Sequence, residues 1–203
     1  MKLYNSNLAP SPRRVRIFLA EKGVSIPRVE VDLGKLEHKR PEFSALNPFQ
    51  TIPILELDDG TRIAETIAIC RYIEALWPEP NLFGVKPVEQ ATIEMWQRQL
   101  EWRLLLPIAQ VLRHTHPRMA EMEMPQVPDW AAANRPRALH AMALVDETLS
   151  DRPFIAGDRF TVADITGLAA LDFAKPARIA IPPEFLHLNR WHEALKKRPS
   201  AAA

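Results

Sequence analysis

The first third of the chain alternates between two spacings of apolar residues. Residues 2–4 are a candidate for a short strand, and residues 29–33, where every second residue is apolar, predict a second strand. Between them, apolar residues recur at helical spacing over residues 12–22, with Ser11 as the predicted N-cap and Gly23 as the stop. Because a helix connects the two strands, the strands are predicted to be parallel.

A hairpin and a further helix follow this unit. Residues 54–63 contain two apolar segments around Asp59-Gly60, a dipeptide typical of tight turns between antiparallel strands. Residues 67–76 again show helical spacing, and Pro78 predicts the end of that helix. The pattern is therefore that of a small α/β domain.

The rest of the chain predicts helices only. They are expected over residues 88–114, 129–149 and 185–196, the first kinked at Pro107 and the second capped by Asp129. Thr161 and Asp164 have the spacing of a capping box at the start of another helix. The predicted organisation is an α/β domain over residues 1–77, a Pro- and Gly-containing linker over 78–87 and an all-helical domain over 88–203.

Composition excludes several classes of protein. Lys and Arg total 26 against 25 Asp and Glu, so the net charge of +1 is too small to attract nucleic acid or an anionic membrane strongly. No apolar run approaches the length of a membrane span, and from the first residues we expect no signal peptide. The single cysteine, Cys70, excludes an internal disulfide and offers no metal cluster. We therefore expect a cytoplasmic protein without a metal.

The segment over residues 47–55 carries the first candidate site. Pro53 precedes a strand, where it removes one ladder donor and is typical of a special turn such as a cis peptide. Such a turn would leave the backbone of Ile52 free to pair with an extended peptide. Glu65-Thr66 then opens a helix, whose unpaired N–H groups favour a carboxylate. Together they predict a site for a small anionic peptide, whose amino end Glu65 could hold; the alternative is an ordinary edge proline and an ordinary helix start.

These motifs resemble those of the cytosolic glutathione transferases over essentially the whole chain. The resemblance rests on Gln50-Thr51-Ile52-Pro53, on Glu65-Thr66 and on Phe160-Thr161-x-x-Asp164. Residues 9–17 and 37–43 further resemble an atypical fungal and bacterial branch. The resemblance implies a thioredoxin-like domain joined to a helical bundle, a homodimer, glutathione as co-substrate and a role in detoxification.

The same resemblance implies a set of glutathione contacts. Pro53 would be the cis proline, and the Ile52 backbone would pair with the cysteinyl unit. Glu65 and Thr66 would hold the γ-glutamyl end, and the glycine carboxylate would lie near His38, Lys39 and Gln50. For the histidine and the lysine, the alternative is a solvated loop.

The sequence departs from the family at the residue that usually stabilises the thiolate. Most members place a Tyr, Ser or Cys near the start of the first helix, but the usual serine position here is Ala9. One substitute is the helix start itself, where backbone N–H groups and the charge of Arg13 favour a thiolate. The other is the Ser11 hydroxyl, for which the alternative is a plain N-cap. Pro10 and Pro12 have no N–H to contribute.

A histidine near the end of the long helix is a third candidate. A neutral His114 could take the thiol proton, and the alternative is that His114 and His116 only cap the helix. Leu8, Ala9 and Leu112 are expected to line an apolar pocket for the electrophile. The predicted function is conjugation of glutathione to small apolar electrophiles; the alternative is a glutathione-binding or scaffold protein without catalysis.

Overall fold

The computed structural model describes residues 1–203, which form two compact units. The first comprises Met1–Pro80 with Ala202–Ala203, and the second comprises Asn81–Ala201. None of the helices combines the length and the apolar character that a membrane crossing requires.

A four-stranded sheet forms the centre of the first unit. Its strands are β1 (Lys2–Asn5), β2 (Arg28–Glu30), β3 (Ile54–Glu56) and β4 (Arg62–Ala64), in the order β2-β1-β3-β4. β1 and β2 are parallel, as predicted from their helical connection, whereas β3 is antiparallel to β1 and β4. The predicted hairpin turn is confirmed, and its Gly60 has a φ of +87° that favours glycine.

Three helices complete the first unit: α1 (Pro10–Glu21), α2 (Pro41–Ser44) and α3 (Thr66–Leu76). α1 packs against α3, and both contribute to an apolar core with the sheet. Fully buried core residues are Leu3, Val15, Ile17, Phe18, Ile54, Leu55, Ile69, Cys70 and Ile73. The apolar face predicted for α1 is thus the face that is buried.

The start of α1 differs from the prediction. Ser11 is not the N-cap, because the helix begins at Pro10 and its N-cap is Ala9. The N–H of Arg13 lies 3.3 Å from the carbonyl oxygen of Ala9 and closes the first turn. The fixed φ of proline suits the first turn of a helix, so Pro10 extends the helix toward the N-terminus. Ser11 consequently lies inside this turn.

A buried cation fixes the other end of α1. Lys22 Nζ lies 2.5 Å from Glu74 Oε2 on α3 and 2.6 Å from the carbonyl oxygen of Pro80. The side chain of Lys22 is fully buried, so this pair is shielded from solvent. It connects α1, α3 and the end of the first unit.

The second unit contains five α-helices: α4 (Pro87–Gln99), α5 (Leu106–Thr115), α6 (Pro128–Thr148), α7 (Val162–Ala174) and α8 (Leu186–Lys196). A π-helical segment, Leu100–Leu105, separates α4 from α5, and the N–H of Leu106 bonds to the carbonyl of Glu101. Because Pro107 has no N–H, the regular α-helical ladder fails at this point. A π-helical segment thus occurs just before Pro107, where the sequence predicted a kink.

The predicted cap of α6 is wrong. Val127 is the N-cap and Pro128 the first helical residue, so Asp129 lies in the first turn. Proline is favoured at the first helical position, which moves the start one residue toward the N-terminus. A carboxylate in the first turn still complements the helix dipole.

The capping box of α7 is confirmed and forms the centre of a buried polar network. Asp164 Oδ2 accepts hydrogen bonds from the N–H of Thr161 at 2.8 Å and from its hydroxyl at 3.0 Å. Oδ1 accepts from the N–H of Ile155 and from Trp191 Nε1, both at 3.0 Å. Burial raises the pKa of Asp164 to about 6, although these four hydrogen bonds act in the opposite direction.

Candidate functional site

The Ile52–Pro53 peptide bond is cis, as the sequence predicted. The side chain of Ile52 packs against the cluster that contains Phe43 and Ile54. Its backbone N–H and C=O form no hydrogen bond with the rest of the chain. This backbone is therefore able to pair with an extended peptide as an additional strand would.

A turn stabilised by Asn47 leads into this edge. The buried Asn47 amide donates to the carbonyl oxygen and the hydroxyl of Thr51, both at 3.0 Å, and its Oδ1 accepts from the N–H of Phe49 at 3.1 Å. Gln50 follows with a φ of +55°, and its Nε2 donates to Ser44 Oγ at 2.9 Å. The side chains of Asn47 and Gln50 thus stabilise the turn that precedes Ile52. The role of Asn47 was not predicted, although an asparagine that bonds two residues on is a known turn signal.

The start of α3 offers a group of backbone donors. The N–H groups of Thr66, Ile67 and Ala68 have no acceptor within the chain, while the carbonyl of Glu65 caps the helix by accepting from Ile69. Glu65 is exposed and has a φ of +71°, a conformation that non-glycine residues rarely adopt and that occurs often at functional sites. Three free N–H groups at a helix start favour a carboxylate.

The start of α1 has few donors because prolines occupy it. Pro10 and Pro12 have no N–H, and the N–H of Arg13 is bonded to Ala9. The N–H of Ser11 is therefore the remaining free donor of the first turn. The Ser11 hydroxyl does not cap the helix; its oxygen lies 3.3 Å from Arg14 Nη2, which can only donate. Ser11 thus has two hydrogens available, one on the backbone and one on the side chain.

His38 and Lys39 differ in their surroundings. Both belong to a short 3₁₀ helix, Glu37–Lys39. The His38 side chain is buried at 7% exposure, whereas Lys39 is exposed. The solvated-loop alternative therefore fits the lysine and not the histidine. Contact of either residue with a glycine carboxylate stays a prediction.

His114 lies in α5 and is held by two hydrogen bonds inside the second unit. Its Nδ1 accepts from the N–H of Val127 at 3.1 Å, and its Nε2 lies 3.2 Å from Gln110 Oε1. The same oxygen accepts from Trp130 Nε1 at 2.9 Å. With a backbone N–H on Nδ1, the neutral ring carries its hydrogen on Nε2. These contacts favour a structural role and occupy the lone pair that a proton acceptor requires.

The residues expected to line an electrophile pocket occur in both units. Leu8 is exposed on the loop before α1, and Ala9 is the N-cap of that helix. Leu112 lies in α5 of the second unit, where its side chain is buried. Their grouping into one pocket stays a prediction.

Cys70 takes no part in the candidate site. It is fully buried in α3, and burial raises the pKa of its thiol to about 12. The thiol is therefore protonated at neutral pH and suited to a structural role.

Arg14 is the polar residue of this region whose role the sequence did not indicate. It is buried, and its Nη2 contacts both Ser11 and Thr66. The contact with Ser11 follows from the spacing of three residues on a helix, once the helix is known to begin at Pro10. The contact with Thr66 joins two distant parts of the chain and has no signal in local spacing.

Comparison with known proteins gives matches to both units of the chain. Residues 9–76 match the profile of the glutathione S-transferase N-terminal domain, and residues 110–199 match that of the C-terminal domain. The chain is 43% identical to glutathione S-transferase 2 of Saccharomyces cerevisiae over 98% of its own length and 87% of the yeast protein. It therefore belongs to the glutathione S-transferase family of enzymes, with a thioredoxin-like N-terminal domain followed by a helical domain.

Two crystal structures are similar over nearly their whole length. Gtt2 from Saccharomyces cerevisiae superposes with a TM-score of 0.96 at 42% identity, covering 100% of this chain and 99% of that one. A glutathione S-transferase domain-containing protein from Marinobacter aquaeolei VT8 gives a TM-score of 0.95 at 41% identity, covering 98% and 99%.

Proposed function

We propose that this protein conjugates glutathione to small apolar electrophiles. Glutathione would pair its cysteinyl unit with the Ile52 backbone and direct its γ-glutamyl carboxylate to the start of α3. Its glycine carboxylate would lie toward His38, Lys39 and Gln50. The observation that carries the proposal is the free backbone edge before cis-Pro53, together with the unpaired N–H groups of residues 66–68.

The start of α1 is proposed to stabilise the thiolate. The free N–H of Ser11, the positive end of the helix and the charge of Arg13 all favour a negative sulfur there. The Ser11 hydroxyl supplies a second donor. The thiolate would then attack the electrophilic carbon and form the carbon–sulfur bond, while the displaced electron pair leaves with the leaving group or moves onto the acceptor.

The proton-accepting role predicted for His114 requires a rearrangement. Nδ1 already accepts from the Val127 N–H, and this bond must break before that nitrogen takes a proton. We therefore assign thiolate formation to the α1 start and a structural role to His114.

The decisive experiment is a titration of glutathione followed by the ultraviolet absorbance of the thiolate. The pKa of the bound thiol is expected to lie about two units below the ordinary value for a cysteine thiol. His114→Ala is expected to leave this pKa unchanged even if it lowers thermal stability. Binding without a thiolate signal would identify a glutathione-binding protein without catalysis, and absence of binding would identify a scaffold.

A homodimer is also proposed, with an exposed apolar row along α4 and the following π-helical segment as part of its interface. Val88 and Met95 on α4 and Trp102 in the π-helical segment follow one another at a spacing of seven residues, which corresponds to about two helical turns. All three are exposed, Trp102 by 58%. An exposed apolar row of this kind is typical of interaction surfaces.

Replacing Trp102 with glutamate is expected to convert the dimer into a monomer, because the interface would then bury an unpaired charge. Sedimentation velocity of both forms measures the change. Leu186→Glu is the matched control, since Leu186 is 68% exposed and lies on α8 outside this row. A wild-type protein that sediments as a monomer would remove the proposal.

A further inference from the structure

A buried guanidinium group joins the starts of α1 and α3. Arg14 is 4% exposed, and its Nη2 lies 3.3 Å from Ser11 Oγ and 3.3 Å from Thr66 Oγ1. The Thr66 hydroxyl in turn lies 3.2 Å from the carbonyl oxygen of Ser11. These three contacts connect the two helix starts.

The direction of each hydrogen bond in this set follows from chemistry. A guanidinium group only donates, so both hydroxyl oxygens accept from Arg14. The hydrogen of the Thr66 hydroxyl is donated to the Ser11 carbonyl, which leaves Thr66 with only its backbone N–H for a ligand. The hydrogen of the Ser11 hydroxyl has no acceptor in this set. Ser11 is therefore presented as a donor.

We infer that Arg14 is a positioning residue of the thiolate site, which orients the Ser11 hydroxyl as a donor and holds the start of α1 against the start of α3. The inference rests on the proposed function and deepens it, because it names the group that connects the thiol position with the γ-glutamyl position. Binding of a carboxylate at α3 and ionisation of a thiol at α1 then become coupled through one side chain.

The charge of Arg14 acts in the same direction as its geometry. The guanidinium group is a fixed positive charge beside the start of α1. A nearby positive charge favours the ionised form of a thiol. Its influence already reaches Cys70 on α3, whose pKa it lowers, although burial outweighs this effect.

The test is the thiol pKa of bound glutathione in Arg14→Met, measured from the pH dependence of the thiolate absorbance at saturating glutathione. The pKa is expected to rise by about one unit. In a Ser11→Ala background the same substitution is expected to cause at most half of that rise, because the hydroxyl that Arg14 orients is gone. Arg14→Lys keeps the charge and loses the planar fork. Its thiol pKa is expected to lie between those of the wild type and Arg14→Met.

Arg16→Met is the matched control. Arg16 is also 4% exposed on α1, but it donates to Asn5 Oδ1 at 2.7 Å and to the carbonyl of Ser6 at 3.2 Å, away from Ser11 and Thr66. The Arg16→Met substitution is expected to lower thermal stability without changing the thiol pKa of bound glutathione. An equal rise in this control would indicate general distortion of the helix and would overturn the inference.

Two results for Arg14→Met would also overturn it: a wild-type thiol pKa, or a rise that is the same with and without the Ser11 hydroxyl. If the variant does not fold, Thr66→Val serves instead, since it removes the bridging hydroxyl and keeps the arginine. A raised thiol pKa supports the inference, and an unchanged value contradicts it. Failure of the wild type to form a thiolate is a separate outcome and defeats the proposed function itself.

Discussion

Replacing Asp164 with alanine is expected to lower the free energy of unfolding by about 4 kcal/mol, because several buried donors lose their acceptor at once. The carboxylate accepts two backbone N–H groups, the Thr161 hydroxyl and the Trp191 indole. Neither backbone donor has another partner nearby. Chemical denaturation followed by far-ultraviolet circular dichroism measures the loss.

Asp158→Ala is the control for this substitution. Asp158 is exposed in the loop that precedes α7, and its removal is expected to change stability by less than about 0.5 kcal/mol. Equal effects at both positions would show that the buried network does not stabilise the second unit.

Asp164→Asn separates the charge from the hydrogen bonds. The folded pKa of Asp164 is raised to about 6 from its ordinary value of 3.8, so between these values the folded state holds a proton that the unfolded state has lost. The stability that this proton contributes is fully present below pH 4 and is lost as the pH rises through 6. The stability of the wild type relative to the non-titrating asparagine variant is therefore expected to fall from pH 4 to pH 6; a constant difference would contradict the raised pKa.

Local signals in the sequence were sufficient for most of the secondary structure. The capping box at Thr161 and the hairpin at Gly60 each depend on residues only a few positions apart, and both were predicted correctly. The start of α1 was misplaced because Ser11 is a better N-cap by residue type than Ala9. Two prolines at Pro10 and Pro12 outweighed that preference, since each fixes a helical φ.

The candidate site could be predicted only where it uses the backbone. The cis peptide before Pro53 and the free N–H groups after Glu65 follow from residue type and position, and the structure contains both. The contact between Arg14 and Thr66 connects residues 52 positions apart, and no periodicity encodes it. The hydrogen bond from the Val127 N–H to His114 Nδ1 joins residues 13 positions apart and likewise has no signal in the sequence. It is the reason that we propose a structural role for the histidine.

Two substitutions of Ser11 are expected to separate the backbone donor from the hydroxyl at the thiolate site. Ser11→Ala keeps the N–H and loses the hydroxyl, whereas Ser11→Pro loses both. We expect kcat/KM for conjugation to fall about tenfold in the alanine variant, which loses only the hydroxyl. The proline variant also loses the backbone donor and is expected to fall by about 10²- to 10³-fold, because removal of a backbone-type donor to a developing anion has effects of this size. The thiol pKa of bound glutathione is expected to rise in the same order.

The proline variant is compatible with the fold at this position. Ser11 lies in the first turn of α1, where no N–H is needed for the helix, and it already precedes Pro12 in helical conformation. Circular dichroism and thermal unfolding verify that the helix persists. If both variants lose activity equally, the hydroxyl alone stabilises the thiolate. If neither does, the start of α1 is not the thiolate site, because its first turn has no other free N–H.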